Sequence, residues 1–202
     1  MVKHDMNTYL LLIMVCILAY FSGSIPVGYL VARSHGIRIR KVGSGSTGAT
    51  NVTRNLGWKW GALVGVLDFF KSFLPALLAF QLFSENWQIF LVSIMPVIGH
   101  IFPVWLKFKG GKGVAAIFGA LGAFFGLPVF LGFLLIWFLL VRLINIMSLV
   151  NLVVALLIPI AFWLKFYSAA YLVFGLMIGG IIWWTHRQNI QRLLAGNENK
   201  IA

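Results

Sequence analysis

The chain alternates long apolar runs with short polar interruptions. Residues 8–32, 57–83, 87–106, 146–164 and 168–185 each come close to the ~20 apolar residues that cover a hydrocarbon core of ~30 Å. Each therefore predicts a transmembrane helix. Ser22, Gly23, Ser24 and Pro26 break the first run and predict a kink there. Inside the second run, Asp68 and Lys71 lie three residues apart on one helix face. An unpaired charge at that depth is costly, so they predict an intramembrane ion pair or helix anchor, with a role near a cavity as the alternative. His100 closes the third run before Phe102-Pro103, where structural and functional readings are equally open.

The 31 residues from Lys112 to Arg142 are ambiguous. One straight helix would be about 46 Å long, whereas two full crossings need about 40 residues. Gly126-Leu127-Pro128 sits near the middle and predicts two short helices within 112–142. The fold class expected is thus an all-α integral membrane protein with seven transmembrane helices in a single polytopic domain, 1–202.

Charge supports an odd number of crossings. Seven spans put segment 33–56, loop 107–113, the turn at 142–145 and the tail 186–202 on one side. With Lys59 at the near end of the second run, thirteen of the 16 Lys and Arg residues then share that side, leaving Lys3 and Lys165 opposite and Lys71 inside a helix. The positive-inside bias orients the N-terminus outside and the C-terminus in the cytoplasm. A sixfold crossing would place Arg187, Arg192 and Lys200 outside and weaken that bias.

Composition narrows the function classes. A 61% hydrophobic content, a mean hydropathy of +0.96 and 10% charged residues are incompatible with an ordinary water-exposed surface. The net charge of +12 is that of a membrane protein's cytoplasmic face rather than of a nucleic-acid binder. The single Cys16 excludes an internal disulfide and a cysteine-rich metal site. No small-residue cleavage site follows the first apolar run, which reads as an anchored helix rather than a removed signal peptide.

Three polar segments stand out against this apolar background. Gly43-Ser-Gly-Ser-Thr-Gly-Ala-Thr-Asn51 carries three glycines, hydroxyls and an amide, flanked by Arg38, Arg40, Lys41 and Arg54. Glycines let successive backbone N–H groups converge on phosphate oxygens. Lys107-Phe-Lys-Gly-Gly-Lys-Gly113 is a second glycine and lysine loop, without the spacing of a Walker A motif. His186-Arg187-Gln-Asn189-Ile-Gln-Arg192 is the third. Together they supply amides, hydroxyls, Arg, Lys and His with almost no carboxylate, the inventory of an oxyanion site. A metal site is not expected, because hard cations want several oxygen ligands and only Asp68 and Glu198 are at hand. His4 and His35 read as solvated flanks.

These segments resemble the three signature motifs of the bacterial acyl-phosphate:glycerol-3-phosphate acyltransferases, the PlsY family. The resemblance takes in Gly23-Ser-Ile-Pro-Val-Gly-Tyr-Leu30, Gly43 to Arg54, Gly99-His-Ile-Phe-Pro103 with Phe108 to Val114, and His186 through Leu194 with Gly196 and Glu198. It runs in order over nearly the whole chain. Ser46 stands where the family usually has Asn, and Ser72 where Gly is common.

The resemblance implies an acyl-CoA-independent enzyme of the bacterial cytoplasmic (inner) membrane, its active site facing the cytoplasm, that acts in the first step of phospholipid biosynthesis. It moves a fatty acyl group from acyl phosphate to the 1-hydroxyl of glycerol 3-phosphate, giving lysophosphatidic acid and phosphate. Ser44, Arg54, Lys112, His186 and Asn189 are the expected catalytic residues. Gly43, Gly45, Gly48, Thr50, Asn51, Gly110, Gly111, Gly113, Arg187 and Glu198 are expected to bind or shape the substrate site. No cofactor, metal or nucleic acid is expected; the partners are the two substrates and membrane lipid, and the protein is expected to be a monomer. The proton acceptor is either His186 or a substrate phosphate, the latter favoured because neighbouring cations depress a histidine's basicity. A covalent Ser44 intermediate is disfavoured, since no carboxylate completes a Ser-His-Asp arrangement. An organic-phosphate or anion transporter is the alternative. Transporters build their site near the midplane on repeated halves, and no repeat is evident here.

Overall fold

The computed structural model describes residues 6–200. Lys3, His4 and Asp5 lie outside the described residues. Ten α-helices are present and no strand is found among the described residues. They are α1 (Met6–Ser24), α2 (Val27–Ser34), α3 (Ala49–Leu56), α4 (Trp58–Leu82), α5 (Asn86–Ile101), α6 (Val114–Phe125), α7 (Leu127–Ile144), α8 (Met147–Phe166), α9 (Ala169–Thr185) and α10 (Arg187–Leu194). Short 3₁₀ turns cover Ile39–Lys41 and Val104–Leu106.

The expected break at Pro26 is real: α1 stops at Ser24 and α2 starts at Val27. So is the break at Gly126, whose φ of +80° ends α6 and starts α7. The two pieces are unequal, however. Only α6, with 12 residues, is short, whereas α7 runs 18 residues to Ile144, past the expected limit at 142. Apolar residues continue through Leu143-Ile144, so nothing stops the helix before Asn145 adopts the left-handed conformation. By length and apolar character five stretches can cross a membrane: Met6–Ser34, Trp58–Leu82, Asn86–Leu106, Leu127–Ile144 and Met147–Phe166. Helices α9 and α10, bent by 60° at His186, would make a sixth. Helix α3 answers to no apolar run, being polar.

The contacts group the chain into two compact units, divided between Phe124 and Phe125. In the first, α1 lies against α5, and both touch α4. The α1–α5 crossing is made of backbone: a Cβ at Gly23 would overlap Pro96, and one at Gly99 would overlap the Tyr20 carbonyl. Helix α6 closes on α4 in the same way, Gly119 facing the Phe69 carbonyl, while Phe124 meets Phe80 and Phe90. Ala32, Ile39, Val52 and Val64, all buried, knit α2, the first 3₁₀ turn, α3 and α4 together.

In the second unit α8 and α9 form an antiparallel hairpin in which Gly175 and Gly179 meet Pro159 and Ala155. Phe125, Phe162, Phe166 and Tyr171 pack as an aromatic cluster at one end of it, Phe166 and Tyr171 stacked at 3.9 Å between ring centres. The Trp137 indole donates to Asn151 Oδ1 at 3.0 Å and ties α7 to α8.

Candidate functional site

The glycine-rich loop 43–51 is organised by one buried amide. Asn51, 1% exposed, directs Nδ2 at the carbonyls of Ile39 (3.2 Å), Val42 (3.2 Å) and Ser46 (2.8 Å). Its Oδ1 accepts from the Ser44 backbone N–H at 3.1 Å and from Asn55 Nδ2 at 3.3 Å. Only this amide orientation satisfies both sides, because a flipped oxygen would face three carbonyls. Gly43 has φ +56°, and a Cβ there would strike Asn51 Oδ1; the glycine is demanded by curvature and space alike. Gly45 is also left-handed, at φ +68°. Gly48 caps α3, which carries Thr50, Asn51 and Arg54. Ser44 and Arg54 are exposed and Thr50 half-buried. Asn51 thus builds the loop from beneath, while Ser44 and Arg54 face outward from it.

The second loop folds back on the end of α5. Lys107 and Phe108 take left-handed conformations, φ +54° and +58°. The turn lets Gly110 N–H donate to the Ile101 carbonyl (3.0 Å) and Gly111 N–H to that of His100 (3.2 Å). These carbonyls belong to the last helical turn, which has no partners within the helix. A Cβ at Gly111 would collide with His100 Nε2, and Gly113 rests against Ile101 and Val97. Lys112, half-buried, lies between them.

Beneath both loops sits a buried charged cluster. Lys71 Nζ pairs with Asp68 Oδ1 at 2.8 Å, the pairing expected from their spacing, and donates to the Ile25 carbonyl at 3.1 Å. His100 Nδ1 lies 3.5 Å from the same carboxylate oxygen, a close electrostatic contact longer than a good hydrogen bond. Thr47 of the first loop and Pro103 next to the second line one narrow hollow with Asp68, Lys71 and His100. The sequence pairs Asp68 with Lys71 but cannot reveal that His100 joins them, since the contact spans 32 positions and two helices.

The third segment belongs to the second unit. His186, 1% exposed, stands at the α9–α10 bend with Nδ1 2.8 Å from the Ile182 carbonyl. A carbonyl only accepts, so Nδ1 carries a proton and donates it to Ile182. Asn189, 3% exposed, and Arg192 share one face of α10. Asn189 Nδ2 donates to Glu198 Oε1 and Arg192 Nε to Glu198 Oε2, each at 2.7 Å. Gly196, at φ +71°, turns the tail back so that Glu198 can reach them. Burial pushes the Glu198 carboxyl up, but the hydrogen bonds from Arg192 and Asn189 and the Arg192 charge outweigh it, holding the group below its ordinary range. Arg187 turns elsewhere: its guanidinium lies 4.8 Å over the Trp184 ring and donates to the Trp184 carbonyl.

A family model described as glycerol-3-phosphate acyltransferase matches residues 13–196. The chain belongs to the glycerol-3-phosphate acyltransferase family. It is 42% identical over 190 residues to a glycerol-3-phosphate acyltransferase of Aquifex aeolicus, covering 91% of this chain and 96% of that one. A relative of the same name from Thermus thermophilus is 40% identical over 192 residues, covering 92% and 93%. Among solved structures it is similar to PlsY (YgiH), an integral membrane glycerol 3-phosphate acyltransferase. The glycerol 3-phosphate form gives a TM-score of 0.87 at 38% identity, and the lysophosphatidic acid form 0.85 at 37%, each over 94% of both chains. In this member of the acyltransferase family all three polar segments fall within the matched span.

Proposed function

We propose that the protein transfers a fatty acyl group from acyl phosphate to the 1-hydroxyl of glycerol 3-phosphate, without acyl-CoA as donor. The observation that carries this reading is the near full-length match to an acyltransferase whose solved forms are named for glycerol 3-phosphate and lysophosphatidic acid. Two glycine loops that border one buried charged cluster, Arg54 beside one and Lys112 in the other, support it chemically.

The hydroxyl oxygen attacks the acyl carbonyl carbon; the new ester C–O bond forms as the bond to the phosphate oxygen breaks. The electron pair leaves with phosphate, which also takes the hydroxyl proton. Acyl phosphate is already activated, so the protein's task is to hold two anions together and to stabilise charge on the departing phosphate. Ser44, Arg54 and Lys112 contribute donors from the first unit, with Gly43, Gly45, Gly48, Thr50, Asn51, Gly110, Gly111 and Gly113 shaping their loops. His186 and Asn189 are the catalytic candidates in the second unit. Asn189, fixed by Glu198, contributes an amide; Arg187 is a peripheral cation.

The same reading extends to topology. The chain is a monomer of the bacterial inner membrane, crossed seven times with the N-terminus outside and the three polar segments on the cytoplasmic face.

Purified protein in detergent, given acyl phosphate and glycerol 3-phosphate, should release phosphate and form lysophosphatidic acid, and acyl-CoA should not replace the donor. Arg54→Ala and Lys112→Ala should each lower kcat/KM by about 10²-fold or more. Near wild-type rates in both would contradict the phosphate-site reading. Transport would need a sealed compartment; this assay has none.

A further inference from the structure

The Asp68 cluster contains none of the residues assigned to the substrates, yet the support of the second loop rests on it through His100, and Thr47 of the first loop lines the same hollow. Lys71 ties the Asp68 carboxylate to the Ile25 carbonyl at the α1–α2 break. Ser22 Oγ in turn donates to the Lys71 carbonyl at 3.0 Å. Across the cluster His100 faces Asp68 with one ring nitrogen, while the other occupies the volume that a side chain at residue 111 would need.

Stability alone is a weak reason for this arrangement, since well-packed apolar residues often replace a buried ion pair at no loss. Nor does the cluster hold substrate: the hollow beside it has room for about one water. What it does have is a direct mechanical connection. The His100 ring abuts the Gly111 backbone, the His100 carbonyl accepts the Gly111 N–H, and Lys112 is the next residue. Rotation of the imidazole toward Gly111 would therefore displace the backbone that carries the Lys112 ammonium.

We propose that Asp68 is a positioning residue for acyl transfer, setting the course of the Gly110–Gly113 backbone through His100 and thereby placing Lys112 on the substrate phosphate. This rests on the reading of Lys112 as a phosphate-binding group. Lys71 keeps the carboxylate in place, and Gly111 is glycine because the imidazole fills the space beside it.

The test compares Asp68→Asn, which keeps the size but removes the charge, in the wild-type and Lys112→Ala backgrounds, with steady-state kinetics for glycerol 3-phosphate. Asp68→Asn is expected to lower kcat/KM roughly tenfold in the wild-type background, and to have little further effect once Lys112 is absent, because the two act on one contact. His100→Asn, which leaves the Lys71–Asp68 pair intact, should give the same loss with the same non-additivity, and serves if Asp68→Asn does not fold. An undiminished loss in the Lys112→Ala background, or no loss in either variant, overturns the proposal. Unmutated protein that fails to form lysophosphatidic acid overturns the underlying reading instead, and the proposal with it.

Discussion

At the scale of single residues, polar side chains here divide into those that build a site and those that face outward from it. Asn51 spends its amide on five partners within its own loop and neighbouring helix, so its contribution reaches a ligand only through the shape it imposes on Ser44. Sequence placed Asn51 in the site but could not say which way it points, because the three carbonyls it holds come from a chain reversal. Glu198 is the converse case, a carboxylate among cations whose value is to restrain Asn189 and Arg192. Its folded-state pKa is depressed, so its contribution is full above the ordinary value of 4.5 and is lost as pH falls through the lower folded value. Glu198→Gln should remove this acid-side loss and lower tail stability by about 1 kcal/mol, discounted because Arg192 is partly exposed. Hydrogen exchange of residues 187–198 at pH 7 and in a titration downward from pH 4.5 checks both. Equal protection in the two proteins at pH 7 would exclude the restraint.

At the scale of elements, helix positions were readable because each apolar run has the length a bilayer imposes. Breaks were readable where the cause is local, as at Pro26 and Gly126. Helix α3 was not, since its polar sequence has no apolar run, and only packing of Val52 against Ala32, Ile39 and Val64 marks its buried side. Close helix crossings were equally hidden: a glycine's sequence position does not reveal what faces it. Gly99→Ala must separate α5 from the Tyr20 carbonyl and Ser24 N–H, and should destabilise by about 1–3 kcal/mol. Gly132→Ala, in α7 with nothing within 4 Å, should be neutral or stabilise by up to about 1 kcal/mol. Thermal unfolding in one detergent distinguishes them; equal shifts would contradict the crossing.

At the scale of the whole molecule, charge asymmetry argues for the proposed orientation. In a Cys16→Ser background, Ser34→Cys and Asn197→Cys should react with a membrane-impermeant maleimide only from the cytoplasmic side, and Ser168→Cys only from the other. Residues 34 and 197 labelled from opposite sides would exclude seven crossings. Sequence alone determined the membrane class, most span limits, the Asp68–Lys71 pairing and the position of the three polar segments, because bilayer thickness, helical spacing and charge chemistry act along the chain. Only tertiary structure decided that His100 joins that pair, that Gly111 yields its space to an imidazole, and that Glu198 folds back on Asn189. These are contacts between residues distant in sequence, or across a turn whose reversal depends on where the chain packs, and no local periodicity encodes them.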